Sequence, residues 1–130
     1  MRLLSFSVIV VAMAMWSCFS LEDNSGKASY TTYCASCHGE TGKGFQMLIP
    51  PLDQADYVKN NSDRLACIIK YGMDGAVTVN GSVYDQAMAG ISDLPPEEIT
   101  NIMNFMVSEF GAREKKFSLK EVRDQLSSCE

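Results

Sequence analysis

The pentapeptide CASCH at residues 34–38 restricts this chain more than any other feature of its sequence. Two cysteines three positions apart are followed directly by the only histidine among the 130 residues. Three kinds of site use residues of these types in close succession: a covalently attached haem, a zinc ion and a redox-active dithiol. Each kind of site places different demands on the surrounding chain, so the rest of the sequence decides among them.

The haem interpretation uses every residue of the motif. Cys34 and Cys37 have the spacing that joins the two vinyl groups of one porphyrin, and the imidazole of His38 then serves as an iron ligand. A zinc site needs four ligands, whereas the motif supplies at most three and only Cys67 and Cys129 are left to complete it. A thioredoxin-like dithiol begins a helix in a βαβ unit, and no such pattern surrounds Cys34. The motif therefore favours one covalent haem c and its iron.

The amino-terminal segment has the layout of a secretory signal. Arg2 precedes an apolar run over residues 8–16, which is short of the roughly 20 residues that span a bilayer. We expect residues 1–17 to be a signal peptide and the mature protein to be exported, as haem c attachment requires. Cys18 stands where a lipoprotein carries its lipidated cysteine, but Trp16 departs from that pattern, so lipidation and plain cleavage both stay open. The expected location is the periplasm or, through lipid only, the outer side of the cytoplasmic membrane.

Length and charge limit the rest of the interpretation. A chain of 130 residues allows one domain, which we expect over residues 27–130 after a flexible tail at 18–26. Arg2 is the only charged residue of the predicted signal, so 10 basic and 16 acidic side chains remain after cleavage. Such a surface argues against binding to nucleic acid and suits a partner with a basic docking face, although the same charge also serves solubility alone.

Periodicity and capping signals predict a small, mostly helical domain. The glycine- and proline-rich stretch 39–51 indicates an irregular loop, and Asn80-Gly81 between β-branched residues indicates a two-residue hairpin turn. The expected fold class is all-α, with about four to five short helices and a small β-hairpin. Helices are expected before the motif over residues 26–37, from capping candidates at 61–63 to Gly72, from the cap at 93–96 to Gly111, and from Ser118 to Leu126.

The sequence resembles the class I c-type cytochromes, in particular small bacterial monohaem cytochromes c, over roughly residues 27–128. The resemblance rests on CASCH at 34–38, PPL at 50–52, VTVNGSVYDQAM at 77–88 and LPPEEITNIMNFM at 94–106. It implies the cytochrome c fold around one covalent haem, with the hairpin near the distal side. It also implies that Pro50, twelve residues after His38, accepts a hydrogen bond from the second nitrogen of the histidine. The haem-pocket residues that it implies are Leu52, Tyr57, Leu65, Ile69, Val79 and Tyr84, each of which also suits ordinary packing.

The second axial position of the iron decides between an electron carrier and a catalyst. The chain has no second histidine, so methionines are the candidates. The resemblance implies Met88, which lies between the hairpin and the capped helix, where family members carry their distal methionine. Family members usually have a proline next, whereas Ala89 and Gly90 follow here, and we expect a looser, irregular stretch. The other candidates are Met73 just after the helix-ending Gly72, Met47 in the loop on the histidine side, and Met103 and Met106 on an apolar helix stripe.

Two further cysteines, Cys67 and Cys129, remain once Cys34 and Cys37 are assigned to the haem and Cys18 is set aside as the lipidation candidate. In an oxidising compartment they are expected to form a disulfide that fastens the last helix to the body of the domain. The alternative is that they are two unrelated buried or reactive thiols.

The expected function is that of a single-electron carrier with His/Met axial ligation, and not of an enzyme. Its partners are then a redox donor and acceptor, such as a membrane-bound oxidase, reductase or dehydrogenase. A haem enzyme or gas sensor with an open distal face is one alternative. A haem subunit of a larger oxidoreductase is another. Its contact would be a basic segment that also suits a solvated helix face: Arg113, Lys115, Lys116, Lys120 and Arg123.

Overall fold

The computed structural model of the protein describes residues 24–129. The expected signal peptide, Cys18 and residues 18–23 of the expected tail lie outside this range. The last two residues of that tail, Ser25 and Gly26, are helical, so the folded domain begins earlier than predicted. Within residues 24–129 no helix has both the length and the apolar character needed to cross a membrane.

Six helices and four short strands follow one another in the described part of the chain. The predicted class, mostly helical with a small hairpin, is confirmed, with six helices in place of four or five. The helices are α1 (Ser25–Tyr33), α2 (Ala35–His38), α3 (Asp56–Asn60), α4 (Leu65–Tyr71), α5 (Pro96–Phe110) and α6 (Leu119–Ser127). The strands are β1 (Gly72–Met73), β2 (Val77–Val79), β3 (Ser82–Tyr84) and β4 (Met88–Ala89).

The contact between α1 and α5 forms the centre of the core. A Cβ atom on Gly26 would lie 2.6 Å from the carbonyl oxygen of Asn101, so only glycine lets the two backbones approach this closely. One turn later, the buried ring of Tyr30 lies 4.9 Å from that of Phe105 and 5.2 Å from that of Phe110. Aromatic pairs of this kind contribute about 0.5–1.5 kcal/mol beyond the area they bury. The beginning of the domain is therefore fastened to its longest helix.

Helix α5 begins and ends where the sequence predicts. Pro96 occupies its first position and two acids follow in the first turn, where carboxylates face the positive end of the helix dipole. Gly111 ends the helix in the left-handed conformation, with φ of 63°. The predicted apolar stripe is buried throughout: Ile99, Ile102, Met103, Met106 and Phe110.

The region around α3 and α4 differs from the prediction. Helix α3 was not predicted, and α4 begins at Leu65 rather than at the capping candidates 61–63. The reason is that the side chain of Asn61 donates a hydrogen bond to the carbonyl of Tyr57, 2.8 Å away, and so closes the end of α3. A residue type that commonly starts helices is used here to finish one.

Two antiparallel strand pairs lie between α4 and α5. The predicted hairpin joins β2 to β3 through Asn80 and Gly81, whose φ angles are 48° and 81°. The second pair joins β1 to β4, with Gly72 opposite Ala89 and Met73 opposite Met88. The stretch around Met88 is therefore not irregular, as expected, but a paired strand. Two-residue strands are too short to give an alternating pattern in the sequence.

Helix α6 is joined to α4 by a disulfide and by one buried glutamine. The predicted cap is present, since the Ser118 hydroxyl accepts a hydrogen bond from the Glu121 backbone at 3.2 Å. The Sγ atoms of Cys67 and Cys129 are bonded. Beside them, the buried side chain of Gln125 accepts a hydrogen bond from the Ala66 amide and donates one to the carbonyl of Ser62, both at 3.1 Å. These bonds satisfy backbone groups at the start of α4.

Removing the disulfide should destabilise the domain strongly. The bonded cysteines are 62 residues apart, and closing a loop of this size in the unfolded chain corresponds to roughly 4 kcal/mol in the chain-entropy model. We expect the Cys67→Ala/Cys129→Ala variant to lose about this much free energy of unfolding in guanidinium denaturation of the holoprotein, followed by circular dichroism. Lys116→Ala, at an exposed position, is the control. A loss no larger than that of the control would contradict the prediction.

Candidate functional site

The CASCH motif forms a single helical turn, which consists of Cys34 and the short helix α2 and lies between α1 and the loop 39–51. The amide of His38 donates a hydrogen bond to the Cys34 carbonyl at 2.9 Å, and the amide of Cys37 donates to the same oxygen at 3.2 Å. Gly39, with φ of 76°, ends the turn. Residues three and four apart share one side of a helix, so this turn gathers both thiols and the imidazole.

The imidazole of His38 is oriented by the backbone of Pro50. Only 7% of His38 is exposed, and its Nδ1–H donates a hydrogen bond to the Pro50 carbonyl oxygen at 3.1 Å. With the proton on Nδ1, the lone pair of Nε2 is available to a metal. Burial lowers the pKa of His38, and the Pro50 carbonyl offsets part of this effect by favouring the charged form. The ring is therefore kept in the neutral form that binds iron.

The loop 39–51 holds the Pro50 carbonyl in place. The amide of Gly44 donates a hydrogen bond to the His38 carbonyl at 2.9 Å, and the amide of Leu52 donates to that of Gly42 at 2.7 Å. A Cβ atom on Gly44 would lie 2.2 Å from the Ile49 carbonyl oxygen and 2.7 Å from that of Pro50. The glycine thus allows the loop to fold back on itself beside the histidine.

Substituting Gly44 should disturb the histidine as well as the loop. Gly44→Ala would push against the Pro50 carbonyl, weaken its hydrogen bond to His38 and so reduce the basicity of the imidazole. A less basic ligand stabilises ferric iron less, so we expect a higher reduction potential and faster solvent exchange of the His38 Nδ1 proton, measured by voltammetry and NMR.

Gly75→Ala is a matched control for this variant. Gly75 also has a positive φ, of 87°, but a Cβ atom there would have no neighbour within 4 Å. It reproduces the backbone strain without the collision. Equal potentials and exchange rates in the two variants would contradict the role assigned to Gly44.

The two thiols of the motif are unbonded, with Cys34 half-buried and Cys37 exposed. Burial, and secondarily the charge of Cys37, raise the pKa of the Cys34 thiol to about 11. A redox-active dithiol needs the opposite shift, because its thiolate is the reactive form. Within residues 24–129, no three His, Cys, Asp or Glu side chains are grouped so as to hold a metal ion by themselves. The raised pKa of Cys34 thus favours haem attachment over the dithiol alternative.

Tyr30 is a supporting residue that the sequence did not point out. Its hydroxyl donates a hydrogen bond to the carbonyl of Gly39 at 2.7 Å, at the end of the motif turn. Burial, and then the charge of Cys34, raise the pKa of Tyr30 above its usual range, so the hydroxyl stays a donor. The sequence pattern that could have identified Tyr30 is its spacing of four residues from Gly26, which places both on one face of α1. Tyr30 thereby ties the motif to the α1–α5 contact.

The residues expected to line the haem pocket all belong to the continuous hydrophobic core. Four are buried and two are half-buried against the same cluster. Their position agrees with both roles that the sequence allows, which are lining the haem pocket and ordinary core packing. The buried four are Leu65, Ile69, Val79 and Tyr84, and the half-buried two are Leu52 and Tyr57.

The five candidate methionines fall into three groups. Met103 and Met106 are buried in the core on α5, as their apolar stripe predicts, and Met47 is 61% exposed in the loop. Met73 and Met88 are half-buried and lie directly opposite each other on β1 and β4. The structure thus brings together the two half-buried candidates.

The basic segment at 113–123 is largely paired within the chain. Arg113 forms an ion pair with Glu121 at 2.6 Å and lies 3.5 Å from the ring centre of Phe117. This pairing lowers the pKa of Glu121, chiefly through the hydrogen bond from Arg113. Two further pairs, both at 2.6 Å, join Lys120 to Asp124 and Arg123 to Glu97. The segment therefore suits a solvated face better than a docking site for an acidic partner.

A turn that carries two unbonded thiols and a buried imidazole with a free Nε2 fits the attachment of haem c. Together with the helical fold, this site is that of a class I c-type cytochrome. The cytochrome c family model matches residues 24–109, and the chain belongs to that family. It therefore carries covalently bound haem c with its iron, and it acts as a haem-based electron carrier that interacts with redox partners.

Two relatives from Thermus thermophilus support the assignment. A cytochrome c-552 of this organism is 29% identical over 99 residues, which cover 69% of this chain and 76% of the relative. A second cytochrome c-552, assigned to a particular strain of the same organism, is also 29% identical over 99 residues, with 69% of this chain and 67% of the relative covered.

Proposed function

We propose that the chain is a single-haem electron carrier in which Cys34 and Cys37 attach the haem and His38 and Met88 bind its iron. The observation that carries this proposal is the turn 34–38, where two free thiols stand beside an imidazole oriented by Pro50. The described chain has one such turn, and His38 is its only histidine. One haem per chain follows.

The residues of the chain adapt the site to electron transfer. When bound, haem c supplies an iron that alternates between the ferric and ferrous states by one electron. His38 stays neutral because of its burial and keeps its orientation through the Pro50 carbonyl. The thioether of Met88 favours the reduced state more than a second imidazole does, which gives a relatively high potential. Two protein ligands also leave no open position for a substrate, so the chain is a carrier and not an enzyme.

The strand β4 supports Met88 in this role. Its pairing with β1 compensates for the proline that family members usually have after the methionine, because backbone bonds hold the segment instead. The amide of Ile91 further donates a hydrogen bond to the carbonyl of Ile69 at 3.0 Å, which fixes the segment to the end of α4. The backbone that carries Met88 is thus fixed by hydrogen bonds to β1 and to α4.

The distribution of charge indicates the kind of partner. The chain from residue 71 to residue 112 contains six acidic residues and no basic one. This stretch includes β4 and the hairpin, and it suits a donor or acceptor with a basic docking face, such as a membrane-bound oxidase, reductase or dehydrogenase. With the signal at residues 1–17, the carrier works outside the cytoplasm, either in the periplasm or held at the membrane through a lipid on Cys18.

A redox titration of the purified holoprotein tests the carrier function. We expect one haem per chain, a single reversible one-electron transition, and six-coordinate low-spin optical spectra in both states. The measurements are a pyridine haemochrome assay against protein concentration and optical spectroelectrochemistry. A five-coordinate resting spectrum would point instead to an enzyme or a gas sensor and would contradict the proposal.

Removing the Met88 sulfur tests the axial ligand. Met88→Ala should eliminate the ring-current-shifted methyl resonance of the wild-type ligand in the reduced protein, reduce the weak long-wavelength band of the ferric protein, and raise the affinity for carbon monoxide. NMR, optical spectra and gas titration measure these changes. Met47→Ala, at an exposed methionine, should leave all three unchanged. If Met88→Ala also leaves the resonance in place, Met88 is not the ligand.

A further inference from the structure

The pair β1–β4 places a second methionine beside the proposed ligand. Met73 lies directly opposite Met88 in an antiparallel register. Side chains directly opposite each other in such a pair project from the same face, with their Cβ atoms about 4.5–5.5 Å apart. Met73 therefore presents its thioether to the same side of the strand pair as Met88.

Two glycines fix this register. A Cβ atom on Gly72 would lie 2.2 Å from the carbonyl oxygen of Met88, and one on Gly90 would lie 2.4 Å from the carbonyl carbon of Tyr71. A shift of one residue would bring a side chain into these close backbone contacts and turn the methionine to the opposite face. The opposition of Met73 and Met88 is thus built into the backbone.

Neither methionine serves as a core side chain. Both are half-buried, and neither belongs to the hydrophobic cluster of the described residues, which does contain Met103 and Met106. A methionine side chain has three rotatable bonds and adapts its sulfur position easily. The strand pair thus offers two flexible thioethers on one face, and packing in the described core requires neither of them.

We propose that Met73 is a reserve axial ligand, which binds the haem iron when Met88 leaves it. This inference rests on the proposed function, in which Met88 is the resident ligand. In the exchange one iron–sulfur bond breaks and another forms, and no proton or electron is transferred. The exchange keeps a thioether on the iron, so the distal face stays closed even when the resident bond opens.

Leucine substitutions provide the test, because leucine keeps the apolar volume but cannot bind iron. The holoproteins Met88→Leu, Met73→Leu and Met73→Leu/Met88→Leu are compared with the wild type and with Met47→Leu as a control. NMR of the reduced proteins detects a ligand methyl shifted by the ring current, and gas titration gives the affinity for carbon monoxide. Circular dichroism reports whether each variant is folded.

We expect Met88→Leu to lose the wild-type methyl resonance and to show a new one from Met73. The double variant should lose both and bind carbon monoxide about tenfold more tightly than Met88→Leu, if Met73 occupies the iron about nine-tenths of the time. Met73→Leu and Met47→Leu should keep the wild-type resonance and affinity.

Two results would overturn the inference. The first leaves the proposed function intact, whereas the second contradicts it. In the first result, Met88→Leu shows no methionine resonance and binds carbon monoxide as tightly as the double variant does. Met88 then remains the ligand, and Met73 has no role as a reserve. Met88→Leu with the wild-type resonance intact removes Met88 itself. In that case loss of the resonance in Met73→Leu would identify Met73 as the resident ligand.

Discussion

The hydrogen bond from His38 to the Pro50 carbonyl is the interaction on which the rest of this structure depends. It sets the tautomer of the only imidazole, and it can form only because loop 39–51 returns to the end of the motif turn. That turn is fastened through the Tyr30 hydroxyl to α1, and α1 is packed on α5. A single bond of 3.1 Å thus joins the chemistry of the site to the packing of the long helices.

Two kinds of fastening hold the domain on either side of this bond. Close approach through glycine brings α1 to α5 and β1 to β4, whereas covalent and polar bonds join α4 to α6. Glycine contacts cost conformational entropy and gain precise backbone positions. The resulting frame holds the backbone of Met73 and Met88 through strand pairing, and neither side chain belongs to the hydrophobic cluster of the described residues.

The sequence anticipated the features that depend on local chemistry. The boundaries of α5, the turn at Asn80 and Gly81, and the cap at Ser118 follow from the residues that form them. Helix α3 did not, because it is only five residues long and its first residue, Asp56, exchanges two hydrogen bonds with Asn80, 24 residues away. The pairing of β1 with β4 around Met88 was not predicted either, because it also depends on residues that are distant along the chain. Its partners lie on either side of the hairpin, and its glycines resemble chain breaks in the sequence.

The disulfide bears on the order in which the chain must mature. Its cysteines are 62 residues apart, whereas Cys34 and Cys37 are three apart, and the entropic cost of closing a loop grows with its length. In an oxidising compartment the motif thiols would therefore be the first to pair, with each other or with Cys67. Thioether formation removes them from this competition permanently. Attachment of the haem thus also protects the correct partner of Cys129, and the cofactor acts as a guide to oxidative folding.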